Sequence, residues 1–258
     1  INNIPISIES RHINSYSEVD ADYIFDCRGF PSDYEDYEEL KNPVNASLLS
    51  NIDEVYHDVR WTTSQATPDG WCFIIPTTEG TSLGYLFNSN ITEEKLAEDN
   101  FRKLFGISKI NGRLAFKNYM AKEPIIDNRI ILNGNRLFFL EPLEATAVST
   151  YLNWIRLTFS YIVLKEKTSK EVSRLIKQKI KQVQNFILYH YLHGSEYDTK
   201  FWKESKKYKI TDKVFYNIMK DAISTKEPLN IDYGLNNGIN NYGVHQSFSF
   251  KNMHDGLV

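Results

Sequence analysis

The chain has 258 residues, 41% of them apolar and 14% aromatic, enough to bury a sizeable core as one large or two small units and globular rather than disordered in composition. Its 33 acidic and 30 basic residues leave a net charge of −3, so no attraction to nucleic acid or to an anionic membrane is implied and neither is expected as a partner. Two cysteines without C-x-x-C spacing and six histidines without H-x-x-x-H spacing argue against a bound metal and for a reduced, cytoplasmic setting with buried thiols.

Ala21 to Pro31 begins as a strand-like run and ends in Asp26-Cys-Arg-Gly29. Ligands of open α/β sheets sit beyond the carboxyl ends of strands, which makes Asp26 and Gly29 candidate cofactor contacts. From Ser50 to Lys117 aromatic and polar positions alternate as in an antiparallel sheet. Within it, Gly70-Trp-Cys-Phe-Ile-Ile-Pro76 reads as a core strand, Thr77 to Ser82 as a turn and Gly84 to Phe87 as the partner strand. Ile130 to Leu132 is a short buried strand, which Gly134 ends as the residue that tolerates positive φ and a close ligand.

A long apolar pattern from Ala145 predicts a helix, whose first N–H groups, at Thr146 and Ala147, favour an anion. A plain helix start, where carboxylates complement the dipole, suits Glu141 as well as a site role does and suits Glu144 less. Ser149, Thr150, Asn153, Arg156, Thr158 and Ser160 interrupt the apolar run from Ala145 to Leu164, so a core helix is expected rather than a bilayer span. Thr168-Ser-Lys-Glu171 is a capping box opening a long amphipathic helix. Its apolar stripe from Val172 includes His190, which on spacing alone is as well read as a core histidine. The lysines of 165–181 and 203–207 read as solvated helix faces, and Asn230 to Gly243 as a loop.

Four of these stretches resemble one enzyme family. Gly134-Asn135, six residues and Pro142 are similar to the second flavin motif of single-component flavoprotein monooxygenases, with Asn135 where Asp is usual; the amide still bonds a ribityl hydroxyl but carries no charge. Phe139-Leu-Glu-Pro-Leu-Glu-Ala-Thr146 looks like the F-L/V-E-P-L-E-A/S-T signature of the flavin-dependent tryptophan halogenases. Trp71, Phe73, Ile75 and Pro76 match the frame of that family's W-x-W-x-I-P motif, with Phe73 at the second Trp, and Asp26 to Gly29 resembles its D-x-T/S-G strand end. Phe186 to Trp202 resembles its F-I-x-x-H-Y…D-T-x-F-W segment.

The resemblance implies an oxidoreductase using FAD, reduced by a separate flavin reductase, and a halide ion. Hypohalous acid would then halogenate a small electron-rich aromatic substrate such as tryptophan or another indole. It implies Glu144 as the catalytic carboxylate, Thr146 and Ala147 as halide-binding backbone positions, and Asp26, Gly29, Gly134, Asn135 and Pro142 as cofactor contacts. Trp71, Phe73, Ile75 and Pro76 would line the passage, and His190, Tyr191, Phe201 and Trp202 the substrate. The implied fold is α/β (α+β). A partial FAD-binding Rossmann-like sheet would span 1–48 and 119–150, an antiparallel substrate-side sheet 49–118, and a helical substrate-binding region with a C-terminal loop 151–258. A homodimer is compatible with it. No G-x-G-x-x-G turn stands near Ile1 and no lysine in the family's early catalytic context, so a C-terminal portion of such an enzyme is expected. A flavin-dependent aromatic hydroxylase, or a non-catalytic fragment or binding module, remains open at this point.

Overall fold

Period-two alternation in the aromatic stretch builds the largest sheet. The computed structural model describes residues 6–53, 62–210, 212, 213 and 217, and the loop expected over Asn230 to Gly243 lies outside them. In chain order the elements are β1 (Ile24–Asp26), β2 (Tyr37–Glu39), β3 (Ala46–Ile52), β4 (Thr63–Thr67), β5 (Gly70–Thr77), β6 (Gly80–Phe87), α1 (Glu94–Phe105) and β7 (Gly112–Ala115). There follow β8 (Tyr119–Ala121), β9 (Ile125–Ile126), β10 (Ile130–Leu132), β11 (Phe138–Phe139), α2 (Thr146–Ile162), α3 (Ser169–His193) and α4 (Lys200–Ser205).

The antiparallel sheet runs in the order β4-β5-β6-β3-β7. Its register sets Trp71 opposite Leu86 and Phe73 opposite Gly84, so the odd positions of β5 share one face. Cys72, Leu83, Tyr85 and Phe87 turn the other way and form a core with Ala97, Phe101 and Phe105 of α1. That helix corrects the expectation of strands throughout 50–117: its three core residues recur every four positions, and Gly106 stops it at φ 65°. The sheet also starts earlier than expected, at Ala46, and the β5–β6 turn is reduced to Thr78 and Glu79. Pro76 is tolerated because β4 pairs β5 only as far as Ile74, so the proline, set opposite Thr81 of β6, has no β4 residue to donate to.

Two smaller sheets, β1-β10-β9 and β11-β8-β2, complete the mixed architecture. β1 runs parallel to β10, Ile24 opposite Ile130. Asp127 and Asn128, both at positive φ, make the β9–β10 turn, which Arg129 N–H closes on the Ile126 carbonyl at 3.0 Å. The second core joins these sheets to α3 through Val172, Ile176, Ile180, Val183 and Ile187. The α3 capping box forms as the sequence predicts. No helix among the described residues is long and apolar enough to cross a membrane.

Two further expectations are corrected. Cys27 falls just past β1 and is exposed, while Cys72 is buried. α2 is a core helix on one side only: it buries Thr146, Thr150, Trp154 and Thr158 and packs Tyr151, Leu157, Tyr161 and Ile162 against the core, while Val148, Leu152, Ile155 and Phe159 are exposed. The buried hydroxyls are accommodated by bonding back one turn, Thr150 to Thr146 O at 2.9 Å and Thr158 to Trp154 O at 3.0 Å.

The Phe73 ring lies across Gly84, where an added Cβ would stand 2.0 Å from its Cζ. Gly84→Ala is therefore expected to lower stability by about 1–3 kcal/mol through overpacking, and to cost little in a Phe73→Ala background. Chemical denaturation of the double-mutant cycle measures this, and additive costs would show that the ring does not depend on the glycine.

Candidate active site

The loop between β11 and α2 carries the Glu141-Pro-Leu-Glu144 run, and one carboxylate of that run organises its surroundings. Glu141 is fully buried. Its Oε1 accepts from Asn42 Nδ2 at 2.9 Å, and its Oε2 accepts from Trp71 Nε1 at 3.0 Å and from the Tyr191 hydroxyl. Its backbone N–H donates to Asn118 Oδ1 at 2.8 Å. Strand β5, helix α3 and the segments around Asn42 and Asn118 are thus tied to the start of one loop. Burial raises the carboxyl, and the bonds from Tyr191, Asn42 and Trp71, with the charge of His190, hold it at about 7.

Beside this carboxylate a cavity of about 770 Å³ opens over the face of the large sheet. Trp71, Phe73, Leu86, Phe116 and Phe139 supply its apolar wall, and Pro142 and Ala145 its edge toward α2. Ile75 lines it too; Pro76 does not. Ser47 also lines it, and the buried Ser47 Oγ has no hydrogen-bond partner among the described residues. Ala145 is left-handed at φ 49° and ψ 34°, between a 3-10 turn at Leu143–Ala145 and the first residue of α2. A non-glycine residue there carries strain of about 1–2 kcal/mol. No side chain caps α2, so the first N–H groups, those of Thr146 and Ala147 among them, have no acceptor within the helix. The backbone of Glu144 lies in the 3-10 turn; its side chain is outside what is described.

At the carboxyl ends of β1 and β10, Asp26 and the turn 133–136 come together, with Asn133 N–H donating to Asp26 O at 2.9 Å. Burial alone would raise the Asp26 carboxyl. Bonds from Arg28 and Tyr16 reverse this and hold it well below the usual carboxylate range. Arg136 Nε adds a contact at 3.1 Å. Gly29 and Gly134 have φ of 86° and 55°, and a Cβ at either would meet nothing within 4 Å. Asn135 receives the Tyr151 hydroxyl on Oδ1 at 3.4 Å.

The four helical residues do not join the cavity. Tyr191, Phe201 and Trp202 pack edge-on and tilted against one another inside the core, at ring separations of 5.3–6.0 Å. Trp202 Nε1 donates to Thr67 O at 2.7 Å, docking α4 on the β4–β5 turn. His190 sets Nδ1 3.0 Å from the Phe186 carbonyl and its ring edge-on to Phe186. The family-like spacing is here the pattern of a packed core, as the helical periodicity of His190 allowed. Conversely, Asn42, Ser47, Phe116 and Asn118 carried no local motif, and the 99-residue separation of Asn42 from Glu141 left nothing for a short pattern to detect.

The tryptophan halogenase family model matches residues 7–225. A tryptophan 6-halogenase of Streptomyces albogriseolus is 23% identical over 227 residues, 80% of this chain and 41% of its own length. The crystal structure of MibH, a tryptophan 5-halogenase, superposes with a TM-score of 0.74 at 19% identity, covering 92% of this chain and 48% of that one. BrvH, a flavin-dependent halogenase from Brevundimonas sp. BAL3, superposes at 0.69 and 17%, covering 92% and 49%. These likenesses give the chain a partial Rossmann-like α/β fold, and it spans less than half the length of these relatives.

The Glu141 carboxyl yields a pH dependence with a definite sign. Its folded value lies above its ordinary 4.5, so the stability it contributes is complete below about pH 4.5 and is lost as pH rises through about 7. Glu141→Gln is expected to remove that decline relative to the wild type in thermal melts across this window. Asn42 Oδ1, buried without a partner among the described residues, can accept from the new amide if the Asn42 side chain flips. Parallel pH profiles in the two proteins would contradict the assignment.

Proposed function

The chain belongs to the tryptophan halogenase family, and on that premise we propose that it takes part in halogenating a small electron-rich aromatic molecule, an indole such as tryptophan, in the cavity beside α2. The observation that carries this reading is the meeting of an aromatic-walled cavity with an uncapped helix start. Indole and phenol rings bind by stacking and edge contacts of the kind Trp71, Phe73, Phe116 and Phe139 offer. The Ser47 hydroxyl, which has no partner among the described residues, can accept from an indole N–H.

FAD fits the residues at the strand ends. Open space at two positive-φ glycines and a side-chain amide suit the ribityl and ring portion, with Gly29, Gly134, Asn135 and Pro142 as its contacts. Asp26 acts there through Arg28 and Arg136, since its own oxygens are already engaged. When bound and reduced by a separate flavin reductase, FAD supplies with dioxygen the two-electron oxidation of halide to hypohalous acid.

The backbone N–H groups of Thr146 and Ala147 hold the halide, aided by the positive end of α2, roughly half an elementary charge. Trp71 and Phe73 keep water and the aromatic ring apart from the cofactor side. The ring carbon then attacks the halogen of hypohalous acid: the carbon–halogen bond forms, the halogen–oxygen bond breaks, and the ring proton leaves to the Glu144 carboxylate. That proton passes on to the released hydroxide, so ring and hypohalous acid become haloarene and water. Glu144 is the general base that removes the ring proton.

Glu144→Gln is expected to leave flavin binding, read at about 450 nm, unchanged, because the role proposed for this residue is toward the ring proton and not the cofactor. Halogenated tryptophan or indole, read by mass spectrometry in chloride or bromide with a flavin reductase, should fall by about 100-fold or more. Product at the wild-type rate from this variant overturns the role of Glu144.

A further inference from the structure

Helix α3 gathers positive charge on one face. Lys170, Arg174, Lys177 and Lys181 follow one another at helical spacing, turned away from the core residues Val172, Ile176, Ile180 and Val183. At the rise of an α-helix this stripe is roughly 16 Å long. Between it and the β8–β9 connection lies a concavity of about 520 Å³, where Lys122, Lys170, Arg174 and Lys177 surround the apolar Pro124 and Ile125. Several cations elsewhere on the surface meet carboxylates: Lys95 meets Asp99 at 2.7 Å, Arg113 meets Glu94 and Glu98 at 2.8 Å, and Lys203 meets Asp198 at 3.0 Å. Among the described residues Lys170, Arg174 and Lys177 form no such pair, whereas Lys181 meets Glu38 at 2.8 Å. Arg174 has the Gln178 amide oxygen at 3.5 Å, and Lys177 donates to the Lys122 carbonyl at 3.1 Å. Lys170 also stands in the first turn of α3, where the dipole disfavours a cation. Like charges held together in this way repel one another, in a chain whose net charge is −3, and an anionic partner relieves that repulsion.

We propose that this stripe and the concavity beside it dock an acidic helix of a partner protein. Carboxylates one turn apart on that helix pair with Lys170, Arg174 and Lys177, and a small apolar side chain enters against Pro124 and Ile125. Charge spread along the helix fits an extended partner; a single phosphate or carboxylate needs donors that converge on one point. Glu123 and Glu171 stand among the cations. Carboxylates in those places repel the closely spaced phosphates of a nucleic acid, whereas a protein surface of mixed charge accommodates them. A lipid surface fits less well, because the apolar face of α3 is already buried in the core and has nothing to insert. Ser169 Oγ and the Tyr161 hydroxyl both bond Asn128, so α3 begins beside the carboxyl end of α2. The 17 residues of α2 place this surface about 25 Å from Thr146. A partner docked here leaves the cavity open, and the inference does not depend on the chemistry proposed above.

A fluorescein-labelled helical peptide of about 18 residues, with Glu every third or fourth position along one face and a single Leu among them, tests this by anisotropy titration against the whole protein. The expected result is saturable binding that weakens with added salt. Arg174→Glu and Lys170→Glu should each weaken it about tenfold, while Lys103→Glu on helix α1 leaves it unchanged. Both stripe side chains are exposed, so circular dichroism of these variants should match that of the wild type. Absence of saturable binding overturns the proposal, as does equal binding of a peptide of the same composition in scrambled order, or an equal loss in Lys103→Glu. Tighter binding of a DNA duplex of equal charge, or of vesicles containing phosphatidylserine, overturns it too.

Discussion

A single buried carboxylate holds the site together. Glu141 lies where the large sheet, helix α3 and the second small sheet converge, and its two oxygens take donors from Asn42, Trp71 and Tyr191. Placing such a group in the interior is unfavourable unless its lone pairs are met, so its partners specify one arrangement of these elements and penalise others. The consequence reaches the cavity. With Glu141 pinned, Pro142 follows at the cavity edge, and the chain reaches α2 through the strained Ala145. Trp71 does two things at once: its ring lines the cavity while its N–H is spent on the carboxylate, so wall and loop cannot move independently.

Part of this was legible in the sequence because it is local. The strand at Ile130, the capping box at Thr168 and the period-two face of Trp71, Phe73 and Ile75 each declare themselves within a few residues, and the Gly134 to Thr146 run identifies the family. The unread part is non-local. Glu141 read as an ordinary helix-start acid because its donors lie 50 to 99 residues away. Tyr191, Phe201 and Trp202 read as ligand walls because a packed aromatic cluster and an aromatic pocket have the same composition; only the packing of α4 on the β4–β5 turn separates them. Helix α1 was missed inside a stretch whose aromatic residues suggested strands throughout.

Helix α2 is apolar on both sides, which is why the sequence suggested a core helix. Trp154, Tyr151, Leu157, Tyr161 and Ile162 pack one side of it against the core, where buried threonines bond back onto the helix, while Val148, Leu152, Ile155 and Phe159 stand exposed on the other.

The proposed function requires the Thr146 and Ala147 N–H groups to hold a halide next to the aromatic cavity. Crystals of the protein grown with bromide, measured at the bromine absorption edge, test this without dependence on turnover. The account predicts an anomalous peak within hydrogen-bonding reach of the Thr146 and Ala147 backbone nitrogens, at the cavity edge formed by Pro142 and Ala145. Bromide ordered only elsewhere, with the start of α2 left to water, would contradict it.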